Sequence, residues 1–327
     1  MGARGLRDRS APFHRRVPPS RPSPRGGRRR TLNVSTPLDL GTFLVQCLNS
    51  VQYGLLLFLL ASGLTLIFGI MGVINLAHGS FYMIGAYMAF ALSPLFGDQF
   101  LVMLVAGVVL AAIFGYVLEW VFFSYLYQRD HLQQVLMTYG LILVFEELRS
   151  ILLGNDVHGV KVPPWLDGSF ALGSVMSYPW YRLFASAACI VLAVALYWVV
   201  NRTRLGMMIR AGASNRDMVR GLGIDIRRLY RIVFAGGVAL AALAGMISAP
   251  MSSVYPNMGA SVLIICFVVV VIGGIGSITG ALIASLLVGF VDTFGKVFFA
   301  EISGIGVYVL MAAVLIWRPE GLMGRRT

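Results

Sequence analysis

Residues 74–81 read INLAHGSF, between the apolar runs LLLFLLASGLTLIFGIMG and YMIGAYMAFAL. Asn75 and His78 are the polar groups whose chemistry needs explaining there. A polar side chain inside hydrocarbon must find a partner or face water. The spacing of three puts both on one helix face if the segment is helical. They then border a translocation path or fix a break between segments, or else hydrogen-bond between helices. A metal site does not follow, because no second His, Cys or carboxylate stands at ligand spacing.

A second unusual stretch is GGIGSITG, residues 273–280. It is not a phosphate loop, because three residues separate Gly276 from Gly280 and no soluble strand precedes it. Its glycines, Gly273, Gly274 and Gly276, suit close helix contact and a backbone break. Gly295-Lys296 is followed by Val297 where a Walker A motif needs Ser or Thr. Any ATP hydrolysis is therefore expected on another chain, with no cofactor on this one. HExxH and GxSxG are absent, which disfavours a membrane-embedded enzyme.

The charged groups inside or bordering apolar segments are Glu119, Glu146, Glu147, Arg149, Arg182, Asp292 and Lys296. Glu146 and Arg149 stand at i,i+3, and Asp292 and Lys296 at i,i+4, so each pair can neutralise itself. Glu119 lies near a segment end and can reach the interface. A proton relay wants unpaired carboxylates at depth, which argues against one.

The elements that must hold these residues are membrane segments. The chain has 327 residues, of which 58% are hydrophobic and 12% charged, with mean hydropathy +0.80. Soluble domains carry about 25% charge. The expected fold is all-α, a polytopic integral membrane protein of eight to ten transmembrane helices with broken or re-entrant segments. Ten apolar segments are legible: 41–60, 63–75, 78–96, 100–127, 134–153, 180–200, 229–250, 260–273, 279–298 and 303–318. Segments 63–75 and 260–273 are short and end in glycines, which predicts broken or re-entrant helices. INLAHG and GGIGSITG together hint at two related halves.

Loop 201–231 carries eight Arg against Asp217 and Asp225. Loop 154–178 has one Lys and two Asp. The positive-inside rule then places 201–231 and the C-terminus in the cytoplasm and 154–178 outside. Ten crossings put the N-terminus inside as well. Within the basic loop a short helix is expected around Ile209–Arg220, ended by Gly221 and Gly223. It is either a docking element for another protein or a topology anchor on lipid headgroups.

The net charge of +12 belongs mostly to residues 1–30, which hold ten Arg and one Asp. This Arg/Pro-rich stretch is expected to be a disordered tail over 1–38, ahead of one membrane domain over 39–327. Aromatic residues do not interleave with its arginines for stacking, Phe13 standing alone, so no nucleic-acid partner is expected. The composition shift near residue 31 also suits translation starting at Val34. Cys47, Cys189 and Cys266 lie far apart in apolar segments and read as small buried hydrophobes.

GLTLIFGIMGVINLAHGSFYMIGAY, RTRLGMMIRAGASNRDMVRGLGID, VVIGGIGSITGALIASLLVG and the closing WRPEGLMG resemble, in the same order, LivH-type permease subunits of branched-chain amino acid ABC transporters. The Asn-x-x-His-Gly form resembles the H-type subunit rather than its M-type partner. The resemblance implies a multi-pass protein of the bacterial inner membrane. Its partners would be an M-type permease or a second copy, two ATP-binding subunits and an extracytoplasmic solute-binding protein. It implies that Asn75, His78 and Gly79 mark a break at the core of the translocation domain. It also gives loop 201–231 an ATPase-coupling role, through Arg210, Ala211, Gly212, Asn215, Gly223 and Ile224. Ser80 stands where many relatives carry an acidic residue, and WVFFSYLYQRD lacks the Tyr-Arg-Pro pattern often found there. Permeases for urea, amides, other amino acids or sugars are the alternatives within this class. An ion-driven secondary transporter is the alternative outside it.

Overall fold

Gly63 does not interrupt the first apolar stretch. In the computed structural model, which describes residues 40–97, 99–172, 176–298 and 300–324, one helix, α1 (Leu40–Met71), covers both of the first two expected segments. A helix tolerates an interior glycine when a neighbour uses the space. A Cβ on Gly63 would lie 2.6 Å from the Gly237 carbonyl oxygen. The expected break therefore falls later, at Gly72, whose φ is +64°. The expected tail over 1–38 lies outside the described residues.

Next come α2 (His78–Phe96), α3 (Phe100–Val121) and α4 (His131–Leu153). A hairpin of β1 (Ser169–Leu172) and β2 (Met176–Pro179) follows, antiparallel with Phe170 opposite Tyr178. Then come α5 (Trp180–Arg202), α6 (Arg204–Ser214), α7 (Arg216–Gly221), α8 (Ile226–Ser248), α9 (Met258–Gly273), α10 (Ile278–Phe298) and α11 (Ser303–Trp317). Six of these, α1, α2, α3, α5, α8 and α10, are long and apolar enough to cross a membrane. Two shorter apolar helices are Met258–Gly273 and Gly304–Trp317. The architecture is all-α apart from the hairpin, as expected.

The most hydrophobic windows of α1 and α8 are 78% buried, against 33% in α3 and 17% in α5. Thus α1 and α8 form the centre and α3 and α5 turn apolar faces outward. Small residues bring the central helices together. Gly54 packs on Ser285 and Leu286, and Gly115 on Ala235 and Val238.

Two ends of the bundle are distinguished by their contacts. At one end Arg216 lies over Gly72, Glu119 pairs with Arg231, and Leu322 N–H donates to Ile272 O at 2.8 Å. This basic end gathers loop 203–225 and the last described residues. At the far end Arg182 donates to Asn49 at 2.6 Å and Tyr181 to Ile247 O at 2.8 Å. Leu40 therefore starts at the far end, opposite the basic loop. Five helices, α1 to α5, precede the loop instead of the six expected segments, because α1 covers the first two; the expected side of the N-terminus falls on residues outside those described.

The two halves are related by inversion, with different partners from those expected. α1 packs antiparallel on α8 through reciprocal Gly63 and Gly237 contacts. The starts of α2 and α9 meet through Gly79 and Gly259, each of whose Cβ atoms would strike the other's carbonyl oxygen. The counterpart of the 72–77 break is thus the 249–257 segment, not GGIGSITG, which joins α9 to α10. Inverted repeats with discontinuous helices are a common transporter plan.

Candidate translocation and coupling sites

α1 ends at Met71, and residues 72–77 return along it without regular helix. Asn75 Oδ1 accepts the Ala77 N–H at 3.0 Å, which organises the entry to α2. Asn75 thus precedes the helix that His78 begins, and the two do not share a helical face. His78 Nε2 donates to Leu60 O at 3.0 Å, so the chain is tied back to the middle of α1. Gly63, against which His78 packs, stands about 12 Å along α1 from its end at Met71. Both side chains are fully buried. The Phe81 ring meets His78 edge-on at 6.0 Å and also packs on Phe114, Phe145 and Phe234. Asn75 Nδ2 and His78 Nδ1 have no hydrogen-bond partner among the described residues. The arrangement gives a sealed polar joint in an aromatic setting.

The Gly273–Gly280 stretch lies elsewhere. Gly274 and Gly276 take φ values of +94° and +79°, and Ser277 Oγ accepts the Gly280 N–H at 3.0 Å to start α10. Gly276 rests against Gly69, near the end of α1.

The basic loop forms two helices rather than the single one expected. Asn215 is extended, with φ −152° and ψ 103°, and separates α6 from α7. Its Oδ1 accepts the Met218 N–H at 3.0 Å and caps α7. Thr203 caps α6 and Asp225 caps α8. Asn215→Ala should cost about 1 kcal/mol of local stability, read as faster amide exchange over residues 216–221.

Arg210, Ala211, Asn215 and Gly223 are exposed, Ile224 is half-buried, and Gly212 is buried. Arg210 donates to Val200 O at the end of α5. Gly212 faces Leu229 and Ile70, and Arg216 Nη2 would lie 2.8 Å from a Cβ on Gly72. The three predicted residue sets therefore do not converge on one point. They meet α1 in sequence, at Leu60, Gly69 and Ile70–Gly72.

Two polar clusters escaped the sequence reading. Glu119, two residues before the end of α3, is buried. Its side chain is 1% exposed, it pairs with Arg231 Nε at 3.3 Å, and it accepts from Tyr127 Oη. Burial and the Glu119 carboxylate push the Tyr127 phenol well above its ordinary value, so it remains a donor. The other cluster, Asn49, Arg182, Asp292 and Lys296, lines a cavity of about 440 Å³ at the far end. Arg182, Asp292 and Lys296 all stand out in the sequence as charges at apolar segments, but only the i,i+4 spacing of Asp292 and Lys296 joins any of them there. The Glu146–Arg149 and Asp292–Lys296 pairs form as expected, at 3.1 and 2.5 Å. No group of three or more His, Cys, Asp or Glu side chains arranged to hold a metal occurs among the described residues.

Discontinuous apolar helices tied to a basic loop define a multi-pass membrane permease. The chain belongs to the family described as branched-chain amino acid transport system, permease component, whose profile matches residues 46–316. It is 31% identical over 299 residues to the high-affinity branched-chain amino acid transport system permease protein BraD of Pseudomonas aeruginosa, covering 86% of this chain and 96% of that one. It is 29% identical to the corresponding LivH protein of Escherichia coli, again over 86% and 96%. The LivM permease of Escherichia coli is 27% identical over 81% of this chain and 67% of that one. The match makes this a LivH-type permease. No solved structure matches the chain.

Proposed function

We propose that this protein is the H-type permease of an ATP-driven importer that passes branched-chain amino acids across the bacterial inner membrane. Its partners are an M-type permease or a second copy, two ATP-binding subunits and an extracytoplasmic solute-binding protein. ATP binds those subunits, and this chain carries no cofactor. The basic loop faces the cytoplasm and the ATPases, and the far end faces the binding protein. The names of the relatives support the substrate class.

One observation carries the mechanism: α6 and α7 rest on the last turn of α1, through Gly212 on Ile70 and Arg216 over Gly72. Movement of the loop is therefore delivered to the start of the 72–77 break. The exposed Arg210, Ala211, Asn215 and Gly223, with Ile224 beside them, present the docking face. The break at Asn75, His78 and Gly79 and the turn at Gly273, Gly274 and Gly276 flex as the helices reorient between outward and inward access. Gly212→Leu should leave ATP hydrolysis intact and cut uptake at least ~10-fold, since it overfills the seat on α1. Gly212→Ala meets only ordinary contacts, 3.6 Å to Leu229 and 3.8 Å to Ile70, and should keep uptake.

The test of function is uptake of labelled leucine, isoleucine, valine and urea by vesicles with and without this subunit and its ATPases. ATP-dependent uptake of the three amino acids that disappears with the subunit is expected. Uptake of urea alone would keep the class and replace the substrate. Uptake that survives without the ATPases and collapses with the ion gradient would replace the class.

A further inference from the structure

At the far end lies a two-part cavity that neither the break nor the basic loop accounts for. Its outer part, about 440 Å³, sits between the starts of α1 and α5 and the end of α10, with Asn49, Arg182, Asp292 and Lys296 on its walls. Gln52, Tyr53 and Met251 line this part and also the inner one, so they form a neck. The inner part, about 200 Å³, is walled by aliphatic side chains, among them Leu56, Leu57, Leu60 and Val262. The Tyr82 and Ser248 hydroxyls, hydrogen-bonded at 2.6 Å, also border it.

The outer part holds two cations and one anion. Arg182 spends one N–H on Asn49 Oδ1, at 2.6 Å, and another on the Tyr178 hydroxyl, and of its five N–H donors the remaining ones are left for a further acceptor. Lys296 Nζ engages Asp292 Oδ2 at 2.5 Å, which leaves Oδ1 as an acceptor. The Lys296 side chain is 61% exposed and the Asp292 side chain 9% exposed. The carboxylate is thus the fixed member of the pair. A guanidinium and a buried carboxylate at the mouth of an aliphatic pocket complement a molecule with a carboxylate, an ammonium and a short apolar chain.

We infer that this cavity is an amino-acid site within the permease itself. Arg182 receives the α-carboxylate, Asp292 receives the α-ammonium, and the inner pocket takes a branched aliphatic side chain. The inference rests on the proposed amino-acid transport and deepens it, because selection then continues after the binding protein has released its cargo. The site also touches the break. Leu60 borders the inner pocket, and its carbonyl holds His78.

The experiment is equilibrium binding of labelled leucine to the assembled permease–ATPase complex in nanodiscs, without the solute-binding protein. Saturable binding is expected. Arg182→Gln should weaken it at least ~10-fold, as loss of a charged hydrogen-bond partner does, with Arg182→Lys in between. Asp292→Asn should weaken it too. On the unaltered complex, 4-methylpentanoate lacks the ammonium and 3-methylbutylamine lacks the carboxylate. Each should compete less well than leucine. That comparison decides the matter even if a variant fails to assemble. Undiminished binding by Arg182→Gln, or equal competition by both analogues, overturns the site. So does absence of binding in a complex that imports leucine once its binding protein is added. If that full system imports no leucine, the transport reading falls and the site falls with it.

Discussion

Gly79→Val is expected to abolish uptake and to destabilise the permease by at least about 3 kcal/mol, more than ordinary overpacking costs. The reason is backbone against backbone. A Cβ on Gly79 would overlap the Gly259 carbonyl oxygen and lie 2.7 Å from the Leu263 Cβ. No flexible side chain end is there to move aside. The starts of α2 and α9 would have to part, and His78, one residue away, would lose its hold on Leu60 O at 3.0 Å. Gly236→Ala serves as the control. It lies in α8, one of the two central helices, but nothing lies within 4 Å of its Cβ position. It should hold or raise stability by about 0.5–1 kcal/mol, the ordinary helix preference of alanine over glycine. Thermal unfolding in detergent and uptake in vesicles, measured side by side, check both. Full uptake by Gly79→Val would show that the two helix starts need not touch.

The second large effect is expected at the buried ion pair of the basic end. Arg231→Met should cost about 3–5 kcal/mol, the range for stranding a charge whose partner has been removed. Glu119 is 1% exposed, so its carboxylate is too deeply buried for solvent to take the place of the guanidinium 3.3 Å away. Exposed pairs such as Arg228 with Asp225, at 79% and 51% side-chain exposure, should contribute no more than about 1 kcal/mol. The double variant Glu119→Gln with Arg231→Met should recover most of the loss. Gln keeps an acceptor for Tyr127, and no charge is left buried. A double-mutant cycle on unfolding in mixed micelles measures this. Additive single effects would mean that α3 and α8 are not joined through this pair.

Both effects depend on contacts between residues far apart in the chain, which marks the limit of what could be read beforehand. The apolar blocks, the basic loop and the pairs Glu146–Arg149 and Asp292–Lys296 were legible. Each is set by composition or by helical spacing, which are local. The division of the loop at Asn215 was missed, because an N-cap inside a helix-compatible stretch has the same composition as helix.

Amino-acid order alone sufficed for an all-α membrane protein, for its family motifs and for the places where polar groups interrupt hydrocarbon. Hydrophobic length and charge bias act one segment at a time. It did not suffice for the meaning of the glycines. Gly63 and Gly72 look alike in GLTLIFGIMG, yet the first stays helical against Gly237 and the second turns the chain at φ +64°. It did not pair the 72–77 break with 249–257, bury Glu119 against Arg231, or gather Arg182 and Asp292 at one cavity. A glycine, a carboxylate or a guanidinium takes its role from what lies across from it, and that neighbour exists only once α1 and α8 have packed.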